Sequence, residues 1–203
     1  GAGDLRASAP GSRMTNPYTI PNLLTALRIA LIPVIVGLFY LPYNWSDMAC
    51  GLLFAVVGIT DAFDGYLARK LGQVSRLGAF LDPVADKLIV ATALVLIVSK
   101  DPVWYVTLTA AVIIGREIAI SALREWMAGI GAHQKLMVTG VAKFKTIVQI
   151  VGLSMMLFRQ DILGLPVYWT GLALTVLAAV LTLWSMATYL RVAWPELRGF
   201  RQT

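Results

Sequence analysis

Six long apolar runs, separated by short polar or turn-forming stretches, organise this chain. They cover roughly residues 22–40, 47–68, 83–99, 103–127, 139–158 and 167–190. Each approaches the ~20 residues that a helix needs to cross the hydrocarbon core of a bilayer. The breaks read "LPYNWSD", "SKDPV", "AGIGAHQK" and "RQDILGLP", with an aspartate-rich segment between the second and third runs. Valine and isoleucine are common, but in lipid an open sheet edge finds no hydrogen-bond partner, so runs this long predict helices. The pattern therefore predicts an all-α integral membrane protein with six transmembrane helices. Ahead of the first run, the prolines of "NPYTIPN" discourage a continuous helix and predict a short interfacial segment.

Composition strengthens this picture. Of the 203 residues, 58% are hydrophobic and 14% charged, and the mean hydropathy is +0.75. Soluble domains are less apolar and more charged than this. Residues 1–13, "GAGDLRASAPGSR", are small and polar and lack the apolar core of a signal peptide. They read as an expression remnant or disordered leader before a single membrane domain over 14–203. The lone Cys50 excludes an intramolecular disulfide and a multi-cysteine metal site. A net charge of +6 raises the question of nucleic acid, but the basic residues do not cluster on a soluble module, so no nucleic-acid partner is expected.

Their distribution instead sets topology. The breaks after runs one, three and five carry only Lys100 and Arg159; the other 15 of the 17 Lys and Arg residues lie toward the opposite side. Basic residues favour the cytoplasmic side. Both termini and the aspartate segment are therefore expected to face the cytoplasm.

That segment, "TDAFDGYLARKLGQVSRLGAFLDPVADK" over 60–87, poses the chemical question. Asp61 and Asp64 are three apart and Asp82 and Asp86 four apart, so each pair shares a helix face. If the two helices are adjacent, four carboxylates converge, and divalent cations are the simplest way to neutralise them. Hard oxygen ligands suit Mg²⁺, Mn²⁺ or Ca²⁺ rather than zinc. A plainer reading exists for Asp82, which precedes Pro83 and looks like an N-cap with proline at the first helical position. It does not extend to Asp61 and Asp64, which follow "LLFAVVGIT" inside an apolar run; intramembrane carboxylates are functional by default. Gly65 and Gly78 permit close approach of backbone and ligand. Ala68 leaves room in the same register, and Arg69 can meet a phosphate.

Asp61-x-x-Asp64-Gly65-x-x-Ala68-Arg69, eight residues, then Gly78-x-x-x-Asp82-x-x-x-Asp86 resembles the complete signature of the CDP-alcohol phosphotransferases. The resemblance implies a six-helix membrane fold and a site for two divalent cations, Mg²⁺ or Mn²⁺, that holds a CDP-linked lipid. It implies that Asp61, Asp64 and Asp82 ligate metal, and that Asp86 shares in metal binding and is the general base on the acceptor hydroxyl. Gly65, Ala68 and Arg69 would line the cytidine diphosphate pocket, with Gly78 beside it. It also implies a homodimer. Lys87, beside Asp86, reads as a snorkelling lysine.

Two further stretches bear on the substrates. In "PNLLTALR", Asn22, Thr25 and Arg28 fall at threes along the start of the first span, either as a cap plus a snorkelling arginine or as a polar stripe reaching the nucleotide. In "GREIAISALREW", Arg116 is buried in apolar sequence and requires a partner or a polar cavity. Glu117 and Arg124, seven apart, are expected to form a structural ion pair. Arg116 with Lys143, Lys135 and Lys145 would make a basic pocket for a second phosphate, as a phosphorylated acceptor requires. "IPNLLTALR", "FLDPVADK" and "REIAISALREW" are similar to the bacterial branch of the family that uses glycerol 3-phosphate. That similarity implies attack by glycerol 3-phosphate on the β-phosphate of CDP-diacylglycerol with release of CMP, at the cytoplasmic face of the bacterial inner membrane.

Three rivals remain open at this level. Sibling enzymes use inositol phosphate, inositol or serine, and the aspartates do not discriminate among them. A divalent-cation channel would use the aspartates for permeation, but no second acidic cluster continues the path and Arg69 and the glycines go unexplained. A non-catalytic nucleotide-lipid binding protein would carry a damaged signature, and this one is intact.

Overall fold

The computed structural model describes residues 20–71, 76–129 and 140–199, with side chains throughout except at 20–22, 61–80, 82, 140–143, 192–193 and 195–199. Six helices follow one another: α1 (Ile20–Tyr40), α2 (Ser46–Leu71), α3 (Arg76–Lys100), α4 (Trp104–Gly129), α5 (Gly140–Phe158) and α6 (Val167–Gly199). Among the described residues there is no strand, only an isolated bridge between Ile162 and Leu165. The segments Leu23–Tyr40, Trp104–Gly129 and Val167–Arg191 are long and apolar enough to cross a membrane, while Ser46–Thr60 and Phe144–Phe158 are shorter apolar runs. The described residues are thus all-helical outside short connections, and their apolar helices mark a multi-pass membrane protein.

Two boundaries differ from the sequence expectation: α6 continues to Gly199, well past 190, and α3 starts ahead of 83. α3 begins at Arg76, so Asp82 and Pro83 lie inside it and Asp82 is not an N-cap. The intervening residues, Leu77 to Leu81, carry no breaker except Gly78, and a membrane helix tolerates an internal proline where neighbouring groups satisfy the freed carbonyl. Pro33 stands inside α1 in the same way.

α1 packs on α2 and α3, α5 packs on α2, α3 and α6, and α4 packs on α3 and α6. The shared core runs through Ile35, Phe54, Ile97, Ile113 and Leu153, all nearly inaccessible. Large apolar side chains such as Val95, Leu108, Val180 and Trp184 project outward, as a lipid-facing surface requires. α5 and α6 cross closely. A Cβ at Gly171 would stand 2.7 Å from the Gly152 carbonyl oxygen and 2.9 Å from the Met156 nitrogen. Only glycine lets these backbones approach so closely.

At one end of the bundle the connections are tied together. Lys100 Nζ meets Asp47 Oδ1 at 2.7 Å, Arg159 pairs with Asp101, and Gln160 donates to the Asn44 carbonyl. Lys100 also lies over the Phe39 ring at 5.0 Å, and Arg159 over Tyr168 at 5.2 Å. The return from α5 to α6 uses left-handed backbone at Arg159, Leu163 and Gly164. Both basic residues of these connections are therefore paired with aspartates on the same face.

Candidate active site

The tied face gives a common origin for measuring depth. With about 1.5 Å of rise per residue, Arg28, Asp86, Arg116, Lys145 and Thr182 lie roughly 18–23 Å along their helices from it. On the same scale the backbone positions of Asp61, Asp64 and Asp82 lie roughly 23–27 Å away. Residues from all six helices thus form one polar layer toward the opposite end of the bundle.

α2 runs unbroken through Asp61, Asp64, Gly65, Ala68 and Arg69, and α3 through Gly78, Asp82 and Asp86. The three- and four-residue spacings therefore act on true helices, and each aspartate pair shares a face. Of this signature only Asp86 has a described side chain; those of Asp61, Asp64, Gly65, Ala68, Arg69, Gly78 and Asp82 lie outside the described residues. Among the described residues α2 and α3 do not touch, and α1 and α5 each pack on both. The two halves of the signature are held in one bundle through these intermediaries.

α1 supplies the direct link. Arg28 Nη1 donates to Asp86 Oδ1 at 2.8 Å. The arginine side chain is 5% exposed and that of Asp86 49%. A buried guanidinium thus grips a carboxylate that opens on its other side to the surroundings. The sequence assigns Arg28 to the CDP-lipid and Asp86 to metal and proton transfer, and does not pair them. Thr25, one turn before Arg28, is buried at 2%, so the stripe on α1 points into the bundle rather than snorkelling outward. The side chain of Asn22 lies outside the described residues.

The second cluster centres on Arg116, at the middle of α4 and 8% exposed. Its Nη2 donates to Thr182 Oγ1 of α6 at 3.0 Å and stands 3.2 Å from Glu117 Oε1. Its Nε is buried without a hydrogen-bond acceptor among the described residues. An unmet charged donor of this kind costs at least about 1–3 kcal/mol. The expected Glu117–Arg124 pair does not form. Seven residues separate the two by about 10 Å along the axis, so Glu117 pairs with its neighbour, and Arg124 lies over the Tyr189 ring at 5.5 Å.

Lys145 of α5 is buried at 7% and Gln149, one turn on, at 4%. Lys143 lies on α5 with its side chain outside the described residues, and Lys135 lies outside them altogether. Among the described residues α4 and α5 do not touch; α6 packs on both. Arg116 and Lys145 therefore share a depth but are bridged by a third helix. Sequence reasoning missed Thr182 and Gln149. The available signal for Thr182 was its spacing of seven from Thr175, which places both hydroxyls on one face of an otherwise apolar helix. Both are fully buried.

This arrangement combines a carboxylate oriented by an arginine with a buried cation at similar depth, as phosphoryl chemistry on a lipid substrate requires. Residues 18–187 match the family model described as CDP-alcohol phosphatidyltransferase. The chain is 51% identical over 180 residues to a protein of Salmonella choleraesuis (strain SC-B67) named CDP-diacylglycerol–glycerol-3-phosphate 3-phosphatidyltransferase. Proteins of Escherichia coli (strain K12) and Shigella boydii serotype 4 (strain Sb227) bear the same name and match at the same 51% identity. Each alignment covers 89% of this chain and 97% of the relative. The chain belongs to the CDP-alcohol phosphatidyltransferase family.

Proposed function

We propose that this protein transfers the phosphatidyl group from CDP-diacylglycerol to glycerol 3-phosphate, giving phosphatidylglycerophosphate and CMP. The observation that carries this reading is the 51% identity across 97% of relatives that bear that name. The paired Arg28 and Asp86 and the buried Arg116 give it a physical basis.

In this reading the hydroxyl oxygen of glycerol 3-phosphate attacks the β-phosphorus of CDP-diacylglycerol. The bond between the two phosphates breaks and CMP leaves. Asp86 takes the hydroxyl proton, as a carboxylate within hydrogen-bond reach can do, and Arg28 fixes its orientation. Asn22, Thr25, Arg28, Asp61, Asp64, Gly65, Ala68, Arg69 and Gly78 form the CDP-lipid site. Arg116 with Lys135, Lys143 and Lys145 receives the acceptor's phosphate; the unmet Nε of Arg116 is the donor that such a ligand would satisfy.

Asp61, Asp64, Asp82 and Asp86 fit two divalent cations, Mg²⁺ or Mn²⁺. All donors are hard carboxylate oxygens, helical register pairs them, and Asp86 stays half exposed despite its arginine. When bound, such ions neutralise charge on the transferring and leaving phosphates.

The six helices are read as six spans of a single membrane domain over 14–203, in a bacterial inner membrane, forming a homodimer. The tied face neutralises its own Lys100 and Arg159 with Asp47 and Asp101, and it carries Tyr40, Tyr43, Trp45, Trp104 and Trp169 exposed. Aromatic residues favour membrane interfaces, and an excess of Lys and Arg marks the cytoplasmic side. The opposite end, with the start of α1, the end of α6 and the polar layer, accordingly faces the cytoplasm.

The test is CMP release by purified protein given CDP-diacylglycerol, Mg²⁺ or Mn²⁺ and one acceptor at a time. Release with glycerol 3-phosphate alone supports the reading. Release only with inositol phosphate, inositol or serine moves the protein to a sibling activity. Absence of release with any acceptor, together with cation flux in liposomes, replaces the reading with a channel.

A further inference from the structure

An arginine in mid-bundle receives a phosphate well only if its guanidinium plane is already fixed. An arginine side chain has several rotatable bonds, and Glu117, adjacent on the same helix, holds only one nitrogen of Arg116. The second constraint comes from another helix. Thr182 lies on α6, has no solvent exposure, and accepts from Arg116 Nη2 at 3.0 Å. Thr175, on the same face of α6, spends its hydroxyl on its own helix, donating to the Gly171 carbonyl at 2.8 Å. No such bond is made by Thr182 among the described residues, and its Oγ1 serves the arginine.

Thr182 accepts from Nη2 and Glu117 pairs with it, while Nε, beside Nη2 on the same edge of the guanidinium, is buried without an acceptor among the described residues. We propose that Thr182 is a positioning residue for acceptor recognition. By holding Nη2 it turns the Nε side of Arg116 toward the phosphate of the acceptor. The proposal rests on the assignment of Arg116 to the acceptor phosphate and adds the α6 residue that makes the arginine selective. It also gives α6, which contributes no signature residue, a part in the reaction.

Thr182→Val removes the hydroxyl and keeps the shape; Thr182→Ser keeps the hydroxyl. Full-length protein is assayed by CMP release, with each substrate varied at saturating concentration of the other, and its thermal unfolding is followed in parallel. Hydrogen bonds to charged groups are among the stronger ones, so Thr182→Val is expected to raise KM for glycerol 3-phosphate about tenfold. KM for CDP-diacylglycerol should stay within about twofold, and Thr182→Ser should restore the acceptor KM. In an Arg116→Ala background, Thr182→Val should add nothing, because the two residues act as a unit.

An unchanged acceptor KM in Thr182→Val, while Arg116→Ala raises it, overturns the positioning role and leaves the arginine assignment standing. An unchanged acceptor KM in Arg116→Ala overturns both. Equal changes in both KM values with a lowered unfolding midpoint, persisting in the Arg116→Ala background, would show a packing role instead.

Discussion

Arg28 of α1 holds Asp86 of α3 at 2.8 Å, with the guanidinium buried and the carboxylate half exposed. Fifty-eight residues apart in sequence, the two join the polar stripe of the first helix to the last aspartate of the signature. Because Asp86 is half exposed, solvent screening limits the pair to about 1 kcal/mol of stability. Its larger effect is on geometry. Arg28→Ala should therefore fold but lose about a hundredfold in kcat, as misplacement of a reacting group does. Arg28→Lys, which lacks the planar fork, should recover only part of that loss. Steady-state CMP release with a parallel melting curve checks both.

Asp86→Asn keeps the shape and a hydrogen-bonding side chain but cannot take the proton. General acid–base groups contribute about 10²–10⁴ in rate, so turnover should fall by at least about a hundredfold. Binding of CDP-diacylglycerol, followed by equilibrium filtration of labelled lipid, should persist. Turnover at the wild-type level would remove Asp86 from the role of base.

Chelation supplies an independent check on the carboxylate quartet. EDTA should abolish CMP release, and excess Mg²⁺ or Mn²⁺ should restore it, whereas Zn²⁺ should not, given a donor set of hard oxygens alone. Asp61→Asn and Asp64→Asn should raise the metal concentration needed for half-maximal rate. An EDTA-insensitive reaction would contradict the metal assignment.

How much of this was legible in the sequence follows from which forces act locally. All six helices were legible because long apolar runs in lipid have only one way to satisfy their backbone, but the start of α3 and the end of α6 lie outside the apolar runs, in polar sequence. The plainer reading of Asp82 as a cap rests on proline usually opening a helix in water; here the helix starts at Arg76 and carries Pro83 within it, which leaves the metal-ligand reading of Asp82. Arg116 was recognised as needing a partner, but the partner, Thr182 of α6, lay 66 residues on. Glu117 was assigned to Arg124 by periodicity, although one intervening turn puts them out of reach. Periodicity identifies which residues share a helix face. Which helices meet is a property of packing, and the pairings of Arg28 with Asp86 and of Arg116 with Thr182 depend on it.

The α5–α6 crossing predicts a stability effect with no direct chemical cause. A side chain at Gly171 would collide with the Gly152 carbonyl and the Met156 nitrogen, both backbone atoms that cannot turn aside. Gly171→Val should destabilise by about 1–3 kcal/mol or more, as overpacking does. The melting temperature in detergent should fall accordingly. Gly164, with φ +79 and open space around it, is strained for another residue by its backbone alone and should be milder when replaced by asparagine, which tolerates that region.

The tied face should matter least to catalysis. The Lys100–Asp47 pair is partly exposed and is worth less than about 1 kcal/mol. Lys100→Met should leave kcat and both KM values within about twofold. A large catalytic loss would mean that the polar layer, roughly 20 Å away along the helices, is coupled to this face.

The most direct measurement follows labelled glycerol 3-phosphate into lipid. Purified protein is incubated with CDP-diacylglycerol, Mg²⁺ and the labelled acceptor, and the chloroform-extractable label is compared with CMP released. Equal amounts of labelled lipid and CMP from the wild-type chain, and neither from Asp86→Asn, are the predicted result. CMP release without label in the lipid, or equal transfer by Asp86→Asn, would contradict it.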